Sequence, residues 1–312
     1  METLFTIIIP HFNLPLSLRR LLNSIPPRDD LEVLVVDDCS TKQLDELHKV
    51  KDEFKNVRWL STNENGGGGK ARNVGLENAR GKYLIFADAD DFFLPEFNPL
   101  LDKIKSSGLD FDLLFFNSNS VYEESLLKAD RTKRVNDSFK RYKVNPEKSK
   151  ALLQYTYGEP WGKIVKAELV RKNNIRFDET PIHNDTRFSY LVGFHARNIL
   201  VEDITAYCVT DRLNSISKNI NWDNLLVKAQ VFSKKAAFLK ENKITTTDPI
   251  TFTPFLIAAL KGKTDGISKF YRIYKDNGLS SSQIMSGIIK STVFYIKNDF
   301  VGKLSRYLSL PS

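Results

Sequence analysis

Two cysteines, Cys39 and Cys208, are all that 312 residues contain, and no Cys-x-x-Cys or Cys/His spacing accompanies them. A disulfide framework and a structural zinc site are therefore excluded, and a reducing compartment suits the chain. Long apolar runs are missing too. No stretch of about 18 uninterrupted apolar residues occurs, so no transmembrane helix is predicted. The opening METLFTIIIPHFN has one short apolar run with no basic segment before it, which does not read as a signal peptide. With 15 glycines, 12 prolines, 41% hydrophobic and 27% charged residues, the chain is neither collagen-like, low-complexity nor disordered. Its length allows one large domain or two moderate ones.

The net charge of +8 is unevenly spread. Residues 1–212 carry 31 Lys+Arg against 32 Asp+Glu, whereas residues 213–312 carry 15 against 6, a net of +9. A basic C-terminal region serves either as a solvated surface or as the face toward an anionic partner: membrane, nucleic acid or phosphate-bearing substrate. No DNA- or RNA-reading motif accompanies it, so no nucleic-acid partner is expected.

The first 120 residues alternate. Short β-branched or apolar runs at 4–9, 31–36, 57–61, 83–87 and 112–117 read as strands, the first ended by Pro10. Between them, segments 16–25, 41–54, 70–79 and 95–106 have helical spacing, with Ser40 or Thr41 as N-cap of the second. This rhythm predicts an α/β fold with a mostly parallel sheet and helices on both faces. Further on, 130–143 is polar and basic and reads as a surface excursion. Helices are predicted at 146–155, 166–173 and 185–195, and a strand at 199–209. From residue 221 only helices are expected, near 222–242, 250–262, 266–277 and 281–298. There is no internal repeat.

In an open parallel sheet, ligands bind beyond the carboxyl ends of the strands. Four strands in succession are followed there by polar or acidic groups: Pro10-His11-Phe12-Asn13, Asp37-Asp38-Cys39-Ser40, residues 63–70, and Asp88-Ala89-Asp90-Asp91. Three carboxylates in four residues repel one another unless a cation sits among them. Mg²⁺ or Mn²⁺, which take one or two carboxylates plus phosphate oxygens, fit that cluster; an Asp-rich turn before the next helix also fits. The calcium-loop spacing of an EF-hand is absent. Gly66–Gly69 satisfies neither GxxxxGK[ST] nor GxGxxG, and reads as a phosphate loop or as a mobile turn.

Together TIIIPHFN (6–13), EVLVVDDCST (32–41), NENGGGGKARNVGLENARGKYLIFADADD (63–91), EPWGKIVKAELVRKNNIRFDE (159–179), HNDTRFSYLVGFHARNILV (183–201) and NSIS (214–217) resemble the family 2 glycosyltransferases, inverting enzymes of the GT-A type that build polysaccharides and glycoconjugates. The resemblance covers roughly 1–217. It implies a Rossmann-like GT-A domain over 1–217, divided into a nucleotide-binding half (1–120) and an acceptor half (121–217), followed by a basic helical region over 218–312. In the family's P-x-Y-N segment Pro10, Phe12 and Asn13 stand on the donor side, and Phe12 in place of Tyr keeps ring stacking on the base but loses a phenol hydroxyl. The resemblance puts Asp38 on the base N3–H, Asp88 near the ribose or a metal-bound water, and Asp90 on Mg²⁺ or Mn²⁺ as the direct ligand. Asp91 is left to turn or cap the next segment. Cys39 stands where the family has Gly and reads as a small buried hydrophobe.

The family's base sits in a Glu-Asp pair opening a helix. Here the pair is Asn184-Asp185, so Asp185 carries the base role and the loss of a neighbouring carboxylate removes a term that raises its pKa. His183 is a rival base or acceptor contact. Trp161 is either acceptor floor or core, and Arg72 either reaches a phosphate or faces solvent. The implied reaction moves a sugar from a nucleotide-diphosphate sugar, a UDP-sugar by this resemblance, to a hydroxyl of a glycan or lipid-linked saccharide. A nucleotidyltransferase would need a Gly-rich basic loop after the first strand, where this chain has PHFNLPLS; a non-catalytic scaffold would be expected to lose Asp90 or Asp185. In 281–298 the residues Ile284, Met285, Ile288, Ile289, Val293 and Ile296 fall along one helical face, with Lys290, Lys297, Lys303 and Arg306 around or after it. Such a stripe either packs against the rest of the protein or lies on an anionic membrane surface. The expected location is cytoplasmic, with peripheral attachment to the inner membrane face.

Overall fold

The structure, a computed structural model, describes residues 3–212, 221–245 and 252–297. It divides into two compact units: residues 1–180 with 184–213, and residues 181–183 with 214–312.

The first unit is built on a sheet of eight strands among the described residues, in the order β3-β2-β1-β4-β7-β6-β8-β5. β1 (Phe5–His11), β2 (Leu31–Asp37), β3 (Arg58–Ser61) and β4 (Tyr83–Phe86) form a parallel half, in which β1 pairs with both β2 and β4. Every residue from Phe5 to Ile9 is buried, so both faces of this half are covered, as crossover connections demand. The covering comes from α1 (Pro15–Ser24), α2 (Leu44–Glu53), α3 (Gly67–Asn78) and α4 (Phe97–Ser107), whose Leu18, Leu21, Leu47, Val50, Leu76, Phe97 and Leu100 join the core.

Beyond β4 the direction changes. β7 (Lys163–Lys166) runs antiparallel to both β4 and β6 (Leu113–Tyr122), and β6 runs parallel to β8 (Ile199–Asp211). A two-residue strand, β5 (Phe92–Phe93), pairs antiparallel with β8. The sheet is thus mixed, parallel from β3 through β4 and partly antiparallel beyond. β5, two residues long, and β7, which runs straight into the helix after it, escape sequence reading.

The basic segment near 130–143 is not a loose excursion. It forms α5 (Lys133–Val144) and buries Val135 and Phe139, a helical i, i+4 pair. α6 (Pro146–Thr156), α7 (Ala167–Lys172) and α8 (Thr186–His195) complete this unit. The predicted cap of α2 is also corrected. Gln43, with φ +54°, occupies the N-cap position without a side-chain cap bond, while the Ser40 hydroxyl is spent on Asp37.

The second unit holds α9 (Trp222–Glu241), α10 (Thr253–Leu260), α11 (Thr264–Asp276) and α12 (Ser281–Lys297) around Leu225, Phe255, Phe270, Tyr274 and Ile284. The apolar stripe expected on α12 is divided by the packing. Ile284 is buried and Ile288 packs on the core, whereas Met285, Ile289, Val293 and Ile296 are exposed. NSIS (214–217), the 217/218 boundary, Lys303 and Arg306 lie outside the described residues. None of the described helices is long and apolar enough to cross a membrane.

Candidate active site

The carboxyl ends of β1 and β2 meet in register, His11 opposite Asp37. Asp37 accepts from His11 Nδ1 at 2.8 Å and from the Ser40 hydroxyl at 2.6 Å. Because the Leu14 N–H donates to His11 Nε2, the ring carries its proton on Nδ1. Burial works to raise the Asp37 pKa, but the His11 and Ser40 bonds outweigh it and hold the carboxyl below the usual range. Asn13, in the left-handed region at φ +55°, accepts from the Thr41 and Lys42 N–H groups, so it fixes the turn after β2. Pro10 sits inside β1 opposite Val36, and Phe12 projects from its end, 43% exposed. An apolar ring left in water at a strand end is available for stacking on a planar ligand.

Asp38 is buried and has three donors from its own chain: the Thr62 hydroxyl and Gly66 N–H on Oδ1, and the Gly67 N–H on Oδ2. It folds the glycine loop against the sheet edge. Gly67 needs its φ of +81°, and a Cβ on Gly69 would stand 2.1 Å from the Asp178 carbonyl oxygen. Cys39 also has positive φ, +59°, which accounts physically for the family's Gly at this position. It is half-buried and its thiol donates to the Thr62 carbonyl, so it is not the buried hydrophobe expected.

Arg72, from the first turn and a half of α3, is buried rather than solvent-facing. Its Nη2 donates to Asp88 at 2.6 Å and its Nη1 to the Asn184 side-chain oxygen at 3.0 Å, with the guanidinium 5.4 Å from the Phe177 ring centroid. One arginine therefore ties the end of β4 to the segment that opens α8. The Nε atoms of Arg72, Arg20 and Arg212 are buried without a hydrogen-bond partner, leaving donors to spare at this edge.

The three carboxylates after β4 have separate fates. Asp88 pairs with Arg72 and Asp90 with Arg212, Oδ2 to Nη2 at 2.7 Å. Asp91 does not cap the next helix. It is buried, and accepts from the Tyr207 hydroxyl at 2.9 Å and the Thr210 N–H at 2.8 Å, fastening the β4 end to β8. Burial and the nearby Asp88 raise the Asp90 pKa, against Arg212 and Arg131. Among the described residues no three His, Cys, Asp or Glu side chains form a closed metal cage. Two carboxylates close enough to repel, Asp88 and Asp90, are the donor set that Mg²⁺ or Mn²⁺ uses when substrate phosphates complete the sphere. The residues fit that group.

Asp185 occupies the N-cap position of α8 without a side-chain cap bond. Burial pushes its carboxyl up to about 6. Arg72 opposes that shift, and Glu159 and Asp88 add to it. The carboxylate missing at 184 is thus supplied from 159, which sequence spacing could not reveal. Glu159 pairs with Arg134 of α5 at 3.1 Å. Its loop is held by Lys163, 1% exposed, whose ammonium donates to the Tyr157 and Glu159 carbonyls and the Ser189 hydroxyl of α8. Trp161 is a core residue, 3% exposed and stacked on Tyr207 at 5.9 Å, rather than an open acceptor floor. His183 belongs to the second unit, where its ring lies 5.0 Å from that of Phe232. Arg212 and Arg20, and the partners of His11 and Glu159, could not be read from the sequence because the groups they meet are distant in the chain.

Residues 6–159 match the family model Glycosyl transferase family 2. EpsH of Bacillus subtilis is 26% identical over 249 residues, covering 76% of this chain and 69% of EpsH. TarS of Staphylococcus aureus, a poly(ribitol-phosphate) beta-N-acetylglucosaminyltransferase, is 29% identical over 217 residues, 65% of this chain but 35% of TarS. The chain thus spans about a third of TarS. The crystal structure of TarS 1–349 with UDP-GlcNAc aligns with a TM-score of 0.58 at 21% identity, covering 88% of this chain and 89% of that one. A Pyrobaculum calidifontis mannosyltransferase in complex with GDP-Man and Mn²⁺ aligns with a TM-score of 0.50 at 14% identity, covering 97% and 84%. The GT-A fold is shared.

Proposed function

The chain carries a family 2 glycosyltransferase domain, and from that premise we propose that it moves a sugar, with inversion, from a UDP-sugar to a hydroxyl of a glycan or lipid-linked saccharide. The observation that carries this reading is the Arg72 bridge, which joins Asp88 to Asn184 and so brings the carboxylates after β4 and the Asp185 segment to one sheet edge. UDP-GlcNAc is the ligand in the TarS complex, and that likeness favours a UDP donor.

Phe12 stacks on the base, while Asp38, with one Oδ2 lone pair still open, takes the base N3–H. Pro10 and Asn13 shape this end of the site. Asp88 and Asp90 would hold Mg²⁺ or Mn²⁺, whose charge stabilises the diphosphate leaving group. Arg72 and Arg20 would add positive charge beside the same anion. Asp185, about 90% ionised at neutral pH when its carboxyl titrates near 6, takes the proton from the acceptor hydroxyl as that oxygen attacks the anomeric carbon from the opposite face. The Arg134–Glu159 pair stands on the acceptor side, and His183 is the alternative acceptor contact. In this reading 1–217 is catalytic and 218–312 is the basic helical region. The protein is cytoplasmic, with residues 281–306 facing an anionic membrane.

The test is a screen of UDP-, GDP- and dTDP-sugars for metal-dependent donor hydrolysis and transfer. Turnover of one UDP-sugar is expected, lost in Asp90→Ala while the circular dichroism spectrum is kept. Full activity of that variant in excess chelator overturns the metal assignment, and no turnover of any nucleotide sugar by the native chain overturns the reading as a whole.

A further inference from the structure

Asp90 already has a cation. Arg212, the residue after β8, places Nη2 2.7 Å from Asp90 Oδ2, and both side chains are largely buried, 26% and 17% exposed. The surroundings hold this pair from three elements. Arg20 of α1 donates to the Asp90 carbonyl and, at 3.1 Å, to the Thr210 hydroxyl. Arg131, ahead of α5, donates to the Thr210 carbonyl at 3.1 Å. Thr210 in turn gives its N–H to Asp91. The backbone on both sides of the ion pair is therefore pinned, and the Arg212 side chain is the part with somewhere else to go. Its Nε is buried without a hydrogen-bond partner and lies 4.0 Å from Glu123 Oε2.

A divalent ion on Asp90 and a guanidinium on the same carboxylate repel each other across a shared oxygen, and their partial burial weakens screening by solvent. We propose that Arg212 is a built-in counter-cation of Asp90, which a divalent metal must displace, and that the displaced guanidinium turns to the donor diphosphate. This rests on the reading of Asp90 as a metal ligand. It gives Arg212 two states. Without donor, it neutralises a buried carboxylate that would otherwise be costly to keep ionised beside Asp88. With donor, the diphosphate offers a planar guanidinium a bidentate anionic partner, and Asp90 is released. Nucleotide and metal then assist each other's binding through Arg212, and by linkage the assistance is mutual.

The experiment is a Mn²⁺ titration of the full chain followed by electron paramagnetic resonance, with and without UDP, for the native protein, Arg212→Gln, Arg212→Met and Arg212→Lys. Without UDP, the two neutral variants should bind Mn²⁺ about five- to tenfold more tightly than the native chain, the scale of one partly buried ion pair removed from competition. Arg212→Lys, which keeps the charge, should stay close to native. UDP should tighten Mn²⁺ binding less in the neutral variants than in the native protein. Neutral variants that bind Mn²⁺ no better than native in the absence of UDP overturn the inference. A native chain that binds no Mn²⁺ even with UDP overturns instead the metal reading beneath it, so the two failures are told apart. Should one neutral side chain fail to fold, as its melting curve would show, the other carries the comparison.

Discussion

Asp185 stands alone in its stretch of sequence, with Asn184 beside it, and sequence reasoning expects a carboxyl deprived of an upward push. Burial supplies the push instead, with Glu159 and Asp88 adding to it against Arg72, and the group titrates near 6. A base works only when ionised, so transfer should rise with pH through about 6 and level off above it. Asp185→Asn should cost about 10²-fold or more in transfer, abolish that limb, and leave nucleotide affinity within a few-fold. Glu159→Gln removes a negative neighbour, which should move the limb to lower pH. Initial rates from pH 4.5 to 8 check all three. Should His183→Ala cripple transfer while Asp185→Asn is nearly silent, the base is wrongly assigned.

At the scale of elements, the turn before β2 is fastened to α4 by an ion-pair network centred on Asp30. Asp30 takes a two-pronged contact from Arg28 at 2.9 and 3.0 Å and an ion pair from Lys105 at 2.9 Å, while Arg28 reaches on to Asn98 and Asp102. The Arg28 bond, helped by Lys105 and opposed by burial, brings the Asp30 carboxyl down to about 2. A depressed acid stabilises the fold above its unfolded pKa, and that contribution disappears as pH falls from about 4 toward 2. Asp30→Asn should therefore cost on the order of 2 kcal/mol at pH 7, and the gap from the native chain should narrow below pH 4. Urea unfolding at pH 7, 5, 4 and 3 measures it; a gap that stays constant with pH would mean that shape, not charge, joins these elements.

For the whole molecule, the charge asymmetry and the exposed side of α12 bear on one question. Met285, Ile289, Val293 and Ile296 present apolar surface to water, within a region of net charge +9. Peripheral attachment to an anionic surface uses both, at about 1 kcal/mol per Lys or Arg close to the lipid. The full chain should sediment with anionic vesicles and not neutral ones at low salt, and dissociate at high salt. A chain with Lys290, Lys297, Lys303 and Arg306 neutralised should sediment less. Equal, negligible sedimentation throughout would leave α12 to a protein partner or to packing alone.

The sequence by itself determined the alternation of the first 120 residues and the strand ends where polar groups gather, Asp38, Asp88 and Asp90 among them. Those are local signals: a run of β-branched residues buried on both faces, then a residue type suited to anions or metals within four positions. Tertiary structure alone decided what each carboxylate faces. Asp91, expected to turn or cap the next segment, closes a turn on the Asp88 carbonyl and fastens β8 instead of capping a helix, Trp161 went to the core, and α5 proved to be a packed helix carrying Arg134 to Glu159. The pairing of Asp90 with Arg212 spans more than a hundred residues. Charge and hydrogen bonding act over a few ångströms of space whatever the separation along the chain, so no spacing rule in the sequence encodes such partners, and the pKa of Asp185 follows from them.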